Sequence, residues 1–134
     1  MILVDSSIWI DFFEGKATIG ALWLEQAVAD DRQIVTCPTV MTEVLQGFRM
    51  DHAFEEARNM LVDCRLLDLD REGHIEAAQL YRTLRRKGFT VRSTLDCIIA
   101  QTCILNEVEL LGRDSDFDFI ARHVPLRLVQ ITNA

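Results

Sequence analysis

Four acidic residues, Asp5, Glu43, Asp96 and Asp114, end predicted strands or line the turns of predicted helices. Asp5 directly follows the apolar run Ile2-Leu3-Val4, and Asp114 follows Glu109–Leu111 through Gly112-Arg113. Glu43 lies about 60° off the edge of the apolar face that Val40, Met41, Val44, Leu45 and Phe48 would form on a helix. Asp96 sits in the first turn of an apolar helical stretch. Taken singly, each has a plain reading: a turn acid, a boundary glutamate, a capping box in Ser93-Thr94-Leu95-Asp96, an acid after a strand. Taken together they are more demanding. At one edge of a parallel sheet they would repel one another and raise each other's pKa unless a cation neutralised them. An all-oxygen donor set suits a hard cation, Mg²⁺ or Mn²⁺, and such a site suits hydrolysis of a phosphodiester. The run Asp114-Ser115-Asp116-Phe117-Asp118 is not a calcium loop, because Phe119 and Pro125 occupy the sixth and twelfth positions, where glycine and glutamate are required. Asp116 reads instead as an N-cap or an auxiliary acid, and Asp118 as a solvated first-turn residue.

The elements that must position these acids alternate along the chain. Strands are predicted at Ile2–Val4, Ile34–Thr36, Leu66–Leu69, Glu109–Leu111 and Arg127–Ile131. Helices are predicted from Ser6 or Ser7, as N-cap, to Phe13, over Ile19–Asp30, from Pro38 to about Phe48, over Asp51–Val62, Arg71–Lys87 and Thr94–Asn106, and over Phe117–Arg122. Gly15 and Gly88 follow two of these helices as natural stops. The alternation predicts an α/β fold: one domain over residues 1–134, with a central parallel sheet of about five strands and helices on both faces. Ligands of such sheets sit beyond the carboxyl ends of the strands.

Four segments then carry a resemblance. Met1-Ile2-Leu3-Val4-Asp5-Ser6-Ser7, Thr42-Glu43-Val44-Leu45-Gln46-Gly47, Leu95-Asp96-Cys97-Ile98-Ile99-Ala100 and Asp114-Ser115-Asp116-Phe117 resemble, in order, the motifs of PIN-domain proteins, above all the VapC-type ribonuclease toxins of bacterial toxin–antitoxin pairs. The likeness runs from residue 1 to about residue 120, and the acidic quartet maps onto Asp5, Glu43, Asp96 and Asp114, with Asp116 auxiliary. It implies a single PIN-like nuclease domain acting as a Mg²⁺-dependent endoribonuclease, with Mn²⁺ a plausible substitute. Asp5 and Asp96 would be the main metal ligands. Glu43 and Asp114 would complete the shell, orient the attacking water or hold a second ion. It also implies a cytoplasmic toxin that forms a homodimer, cuts RNA to leave a 3′-hydroxyl and a 5′-phosphate, and is held by a cognate antitoxin protein.

Composition fits a soluble globule. The chain has 134 residues, 49% apolar and 26% charged, which excludes disorder. No apolar run approaches the ~20 residues of a membrane span, and the start does not read as a signal peptide. Cys37, Cys64, Cys97 and Cys103 lack Cys-x-x-Cys spacing and His52, His74 and His123 lie far apart, so a zinc site is excluded and reduced, partly core-filling thiols are expected. Ile8, Trp9, Phe12 and Phe13 read as core or as part of a dimer or antitoxin interface.

The net charge of −7 argues against a general nucleic-acid binder, but its placement argues the other way. Between Ala77 and Leu95 lie Arg82, Arg85, Arg86, Lys87 and Arg92, with no acid, and the stretch leads into Asp96. It reads either as a solvated helix face complementing a helix C-terminus or as an RNA path in which Arg86 and Arg92, with Arg113, meet phosphates. Rival readings are weaker. A phosphoacceptor receiver needs paired acids after its first strand and a lysine near its last; Ser6 follows Asp5, and Lys16 and Lys87 are the chain's lysines. Six scattered glycines make no phosphate cradle. A PIN-like domain that binds RNA or scaffolds a complex without cutting it would not need all four acids.

Overall fold

The computed structural model describes residues 1–113 and 115–131. Four strands, β1 (Ile2–Val4), β2 (Ile34–Thr36), β3 (Arg65–Leu66) and β4 (Glu109–Leu111), form a parallel sheet in the order β3-β2-β1-β4. Among the described residues seven helices flank it: α1 (Ser6–Phe13), α2 (Ile19–Ala29), α3 (Pro38–Leu45), α4 (Asp51–Val62), α5 (Arg71–Arg86), α6 (Thr94–Asn106) and α7 (Ser115–His123). Ile2 lies opposite both Ile34 and Glu109, and Val4 opposite Leu111. From β1 the chain first builds outward through β2 and β3 and later returns to β1's other side as β4. The switch in strand order therefore falls at β1–β4, and the crevice beyond the carboxyl ends of those two strands is the expected ligand position.

The central strands are continuous apolar runs because they are buried on both faces: Ile2, Leu3, Val4, Val35, Leu110 and Leu111 all belong to the core. Helix α6 is covered nearly all round, as its apolar circumference predicts; its polar residues are satisfied locally, Thr102 donating to the Ile98 carbonyl at 2.7 Å and Gln101 to Glu76 at 2.9 Å. Pro38 occupies the first position of α3, where no amide is needed. Gly15 and Gly88 both adopt positive φ (+72° and +84°), which L side chains take up reluctantly, and each follows the helix it was expected to end.

Four features differ from the sequence reading. The sheet has four strands, not five: Arg127–Ile131 contributes a single bridge, Leu110 to Leu128, because Leu128 and Val129 are only half-buried and little apolar area rewards a longer ladder. Strand β3 ends at Leu66. Leu67 still donates to the Thr36 carbonyl at 2.8 Å, but the Asp68 carboxylate accepts the Leu69 amide at 2.8 Å and turns the chain from the sheet while Leu67 and Leu69 remain buried. Helix α3 stops at Leu45, short of Phe48, and residues 46–48 close it with tighter turns. At the other end of the chain α7 opens at Ser115, two residues before its expected start.

Candidate active site

Beyond the carboxyl edge of the sheet lies a cleft of about 560 Å³, lined by Asp5, Ser6, Ser7, Glu43, Arg92, Ser93, Asp96, Arg113 and Ser115. It gathers residues from α1, α3, α6, α7 and the connections after β1, α5 and β4. Asp5 reaches it from the end of β1, where its amide donates to the Leu111 carbonyl at 2.9 Å and locks the β1 and β4 ends together. The residue is 6% exposed. Asp5 is also the cap position of α1, so Ser6 and Ser7 are not caps as expected but first-turn helical residues. Their hydroxyls turn to carboxylates: Ser7 donates to Asp5 Oδ2 at 2.9 Å and Ser6 to Glu43 Oε1 at 3.3 Å.

Glu43 is half-buried on α3. Burial, and then the charge of Asp5, push its carboxyl above the ordinary glutamate range, while the Ser6 hydrogen bond opposes them. Asp96 is half-buried in the first turn of α6. There the Ser93 hydroxyl accepts from the Leu95 amide at 3.2 Å, and the Asp96 amide donates to the Ser93 carbonyl at 3.1 Å. Asp114 lies outside the described residues, between Arg113 and Ser115, both of which line the cleft. Asp5, Glu43 and Asp96 thus share one cleft, although among the described residues no three acidic, histidine or cysteine side chains already form a cage for an ion.

The auxiliary and basic candidates divide. Asp116 is 4% exposed and is not an N-cap: it lies inside the first turn of α7, where its Oδ2 accepts the Arg92 amide at 3.2 Å and pairs with Arg92 Nε at 3.6 Å. Arg92 also reaches the Ser115 hydroxyl at 3.5 Å. Arg86 is exposed in the last turn of α5, away from the cleft lining. Arg82 bonds Gln79, Arg85 stacks over Tyr81 and Lys87 meets His123, so Arg92 is the member of the basic stretch that lines the cleft. Arg113 lines it too, paired with Asp11 of α1.

Sequence reasoning missed Asp11, which is 3% exposed. A signal was present: an acid on the same side as Ile8 in the apolar run Ile8–Phe13 of a short helix. Ile8 and Trp9 are core, whereas Phe12, Phe13 and Phe48 are half-buried, and Phe13 and Phe48 border an apolar groove of about 230 Å³ lined also by Ile10, Val44 and Met50. All four cysteines are free thiols; burial pushes Cys37 and Cys97 up to about 11, so neither is a nucleophile at neutral pH.

The fold and the cleft together define a parallel α/β domain with convergent carboxylates at the switch point of its sheet. The PIN domain model matches residues 2–123, and the chain belongs to that family. It is 33% identical over 124 residues to ribonuclease VapC11 of Mycobacterium tuberculosis, covering 91% of this chain and 92% of that protein. Among solved structures it resembles VapBC2 from Rickettsia felis bound to a promoter DNA fragment (TM-score 0.75, 18% identity, 98% and 100% of the two chains). It also resembles Mycobacterium tuberculosis VapC20, described as a sarcin–ricin-loop-cleaving toxin (TM-score 0.71, 16% identity, 95% and 99%). No described helix is long and apolar enough to cross a membrane.

Proposed function

We propose that this protein is a Mg²⁺-dependent endoribonuclease and the toxin of a toxin–antitoxin pair. The observation that carries the reading is the convergence of Asp5, Glu43 and Asp96, from three distant segments, on one cleft at the sheet's switch point. The donor set fits a hard divalent cation: the groups are carboxylates, one of them buried, and the raised pKa of Glu43 records a site whose anionic charge is costly without a counterion. Asp5 and Asp96 would hold the ion, with Glu43 and Asp114 completing the set and Asp116 auxiliary. When bound, Mg²⁺ supplies Lewis acidity toward the phosphodiester and neutralises charge that develops in the transition state.

The protein's own groups do the rest. Ser7 fixes Asp5 and Ser6 fixes Glu43, so each carboxylate presents a set orientation to the cleft. Glu43, held by Ser6, would orient the attacking water. Arg92 and Arg113 offer guanidinium forks to the phosphates of the bound strand, with Arg86 further out on α5. The products are a 5′-phosphate and a 3′-hydroxyl.

The VapC11 relative is named a ribonuclease, and structural neighbours are toxin–antitoxin complexes, which support the same assignment here. The partners we infer are an RNA substrate, a second copy of the chain in a homodimer, and an antitoxin that covers the apolar groove beside Phe13 and Phe48, all in the cytoplasm. Incubating purified protein with structured RNAs, with Mg²⁺ or with EDTA, tests the reading. Mg²⁺-dependent cuts bearing 5′-phosphates that vanish in Asp96→Asn are expected. Full activity of Asp96→Asn with unchanged Mg²⁺ dependence would overturn it.

A further inference from the structure

Asp11 plays no part in the chemistry above, yet it is one of the most deeply buried charged side chains in the molecule. Taking a carboxylate out of water is costly unless it is paired and hydrogen-bonded. Asp11 is both. Its Oδ2 accepts from Arg113 Nη1 and from the Thr18 hydroxyl at 3.2 Å, and Lys16 Nζ stands 4.0 Å from Oδ1. The arginine comes from the far side of the sequence, 102 residues away, and is itself half-exposed at the lining of the cleft. Asp11 does not line that cleft.

We propose that Asp11 is a positioning residue that fixes the Arg113 guanidinium as a phosphate-binding group at the α1 side of the cleft; the proposal rests on the nuclease reading. Asp11 takes Nη1, and the rest of the guanidinium, Nε and Nη2, retains donors in a planar fork suited to a phosphate's oxygens. An unanchored arginine at a half-exposed position would lose side-chain entropy on every binding event; one held from behind has lost it already. The backbone at this point is also held, because Gly112 packs so closely against the buried Phe117 ring that a Cβ there would stand 2.8 Å from Cδ2. The device recurs at Arg92, whose amide and guanidinium are both engaged by the buried Asp116. Two buried acids outside the cleft lining thus each carry an arginine that lies within it.

The decisive experiment is equilibrium binding of a short fluorescein-labelled single-stranded RNA in EDTA, across a series of KCl concentrations, with melting temperatures measured in parallel. Arg113→Gln should bind roughly tenfold more weakly, with a salt slope lower by about one. Asp11→Asn removes a negative charge from the protein, so bulk electrostatics alone predicts tighter binding. The positioning role predicts weaker binding, by a factor close to that of Arg113→Gln, and no further loss in the double variant. In cleavage assays with Mg²⁺, Asp11→Asn should raise KM and leave kcat within about twofold. A purely structural role would instead lower the active fraction, and so kcat, without moving KM. Asp11→Asn binding RNA as tightly as the wild type or tighter, with wild-type KM, overturns the proposal while leaving the nuclease reading intact. Wild-type protein that neither binds nor cuts RNA overturns both. Should Asp11→Asn fail to fold, Arg113→Lys at the exposed end decides: it keeps the charge but not the fork, so several-fold weaker binding supports the proposal and unchanged binding rejects it.

Discussion

Two cavities of nearly equal size open at opposite ends of the sheet. The cleft beyond the carboxyl ends of β1 and β4 measures about 560 Å³ and has Asp5, Glu43, Asp96, Arg92 and Arg113 in its walls. The other, about 600 Å³, lies where α6 ends and β4 begins, and is lined by Cys103, Ile104, Val108, Val124 and Leu126 with Glu107 and Arg127 at its charged margin. In that second cavity the Arg127 guanidinium is engaged by the Glu107 carbonyl, and the Cys103 thiol is driven up far beyond its ordinary range by burial. Volume therefore does not make a site. The difference lies in which backbone ends each cavity faces, since loops after parallel strands converge on one edge and bring distant acids together there.

The sharpest way to break this comparison is to remove a carboxylate from the first cavity. Asp96→Asn should reduce cleavage by more than about 100-fold, the upper end of what losing even an outer-shell partner of a metal site costs. Gly112→Ala comes next. The added Cβ meets a buried aromatic ring that has nowhere to go, so about 1–3 kcal/mol of stability should be lost in denaturant titration, and activity should fall as Arg113 shifts.

Glu43→Gln separates stability from function. Because the folded-state pKa of Glu43 is raised, its ionisation opposes folding: the penalty is absent below about pH 4.3, the ordinary glutamate value, and grows as pH rises through the raised pKa. In EDTA, Glu43→Gln should melt above wild type at pH 7 and level with it in acid, with only a small gap because the group is half-exposed. Added Mg²⁺ should close that gap by stabilising the wild type. The smallest effect belongs to the second cavity. Glu107 holds the left-handed conformation (φ +53°) at the end of α6, so Glu107→Gly should raise stability by about 0.5–1 kcal/mol and leave cleavage unchanged.

What could be read from the sequence follows the strength of local signals. The alternation of short apolar runs with amphipathic stretches identified β1, β2, β4 and most helices, and turn chemistry located Gly15 and Gly88. The weak edge elements were harder. Leu67 and Leu69 carry a strand-like burial pattern without the ladder, since Asp68 captures the next amide, and Leu128 makes a bridge but no strand. At the site, Asp5 and Asp96 were legible because they mark the end of a strand and the start of a helix, and Glu43 because it lies off the edge of its helix's apolar face. The pairings of Asp11 and Asp116 were not, because their partners, Arg113 and Arg92, lie 102 and 24 residues away and only the fold makes them neighbours. Within the basic stretch, Arg82, Arg85 and Arg86 lie on α5 and face solvent or their own helix, whereas Arg92, beyond the helix, lines the cleft, a division that only the fold reveals.

On the proposed function, the cleft carboxylates form a divalent-cation site. Titration of Mn²⁺ into the protein, followed by the loss of the free ion's paramagnetic resonance signal, measures this directly. Wild-type protein should bind Mn²⁺ saturably and release it to excess Mg²⁺, and the Asp5→Asn/Asp96→Asn variant should show no saturable binding while retaining its fold. Equal Mn²⁺ affinity in wild type and variant would contradict the account.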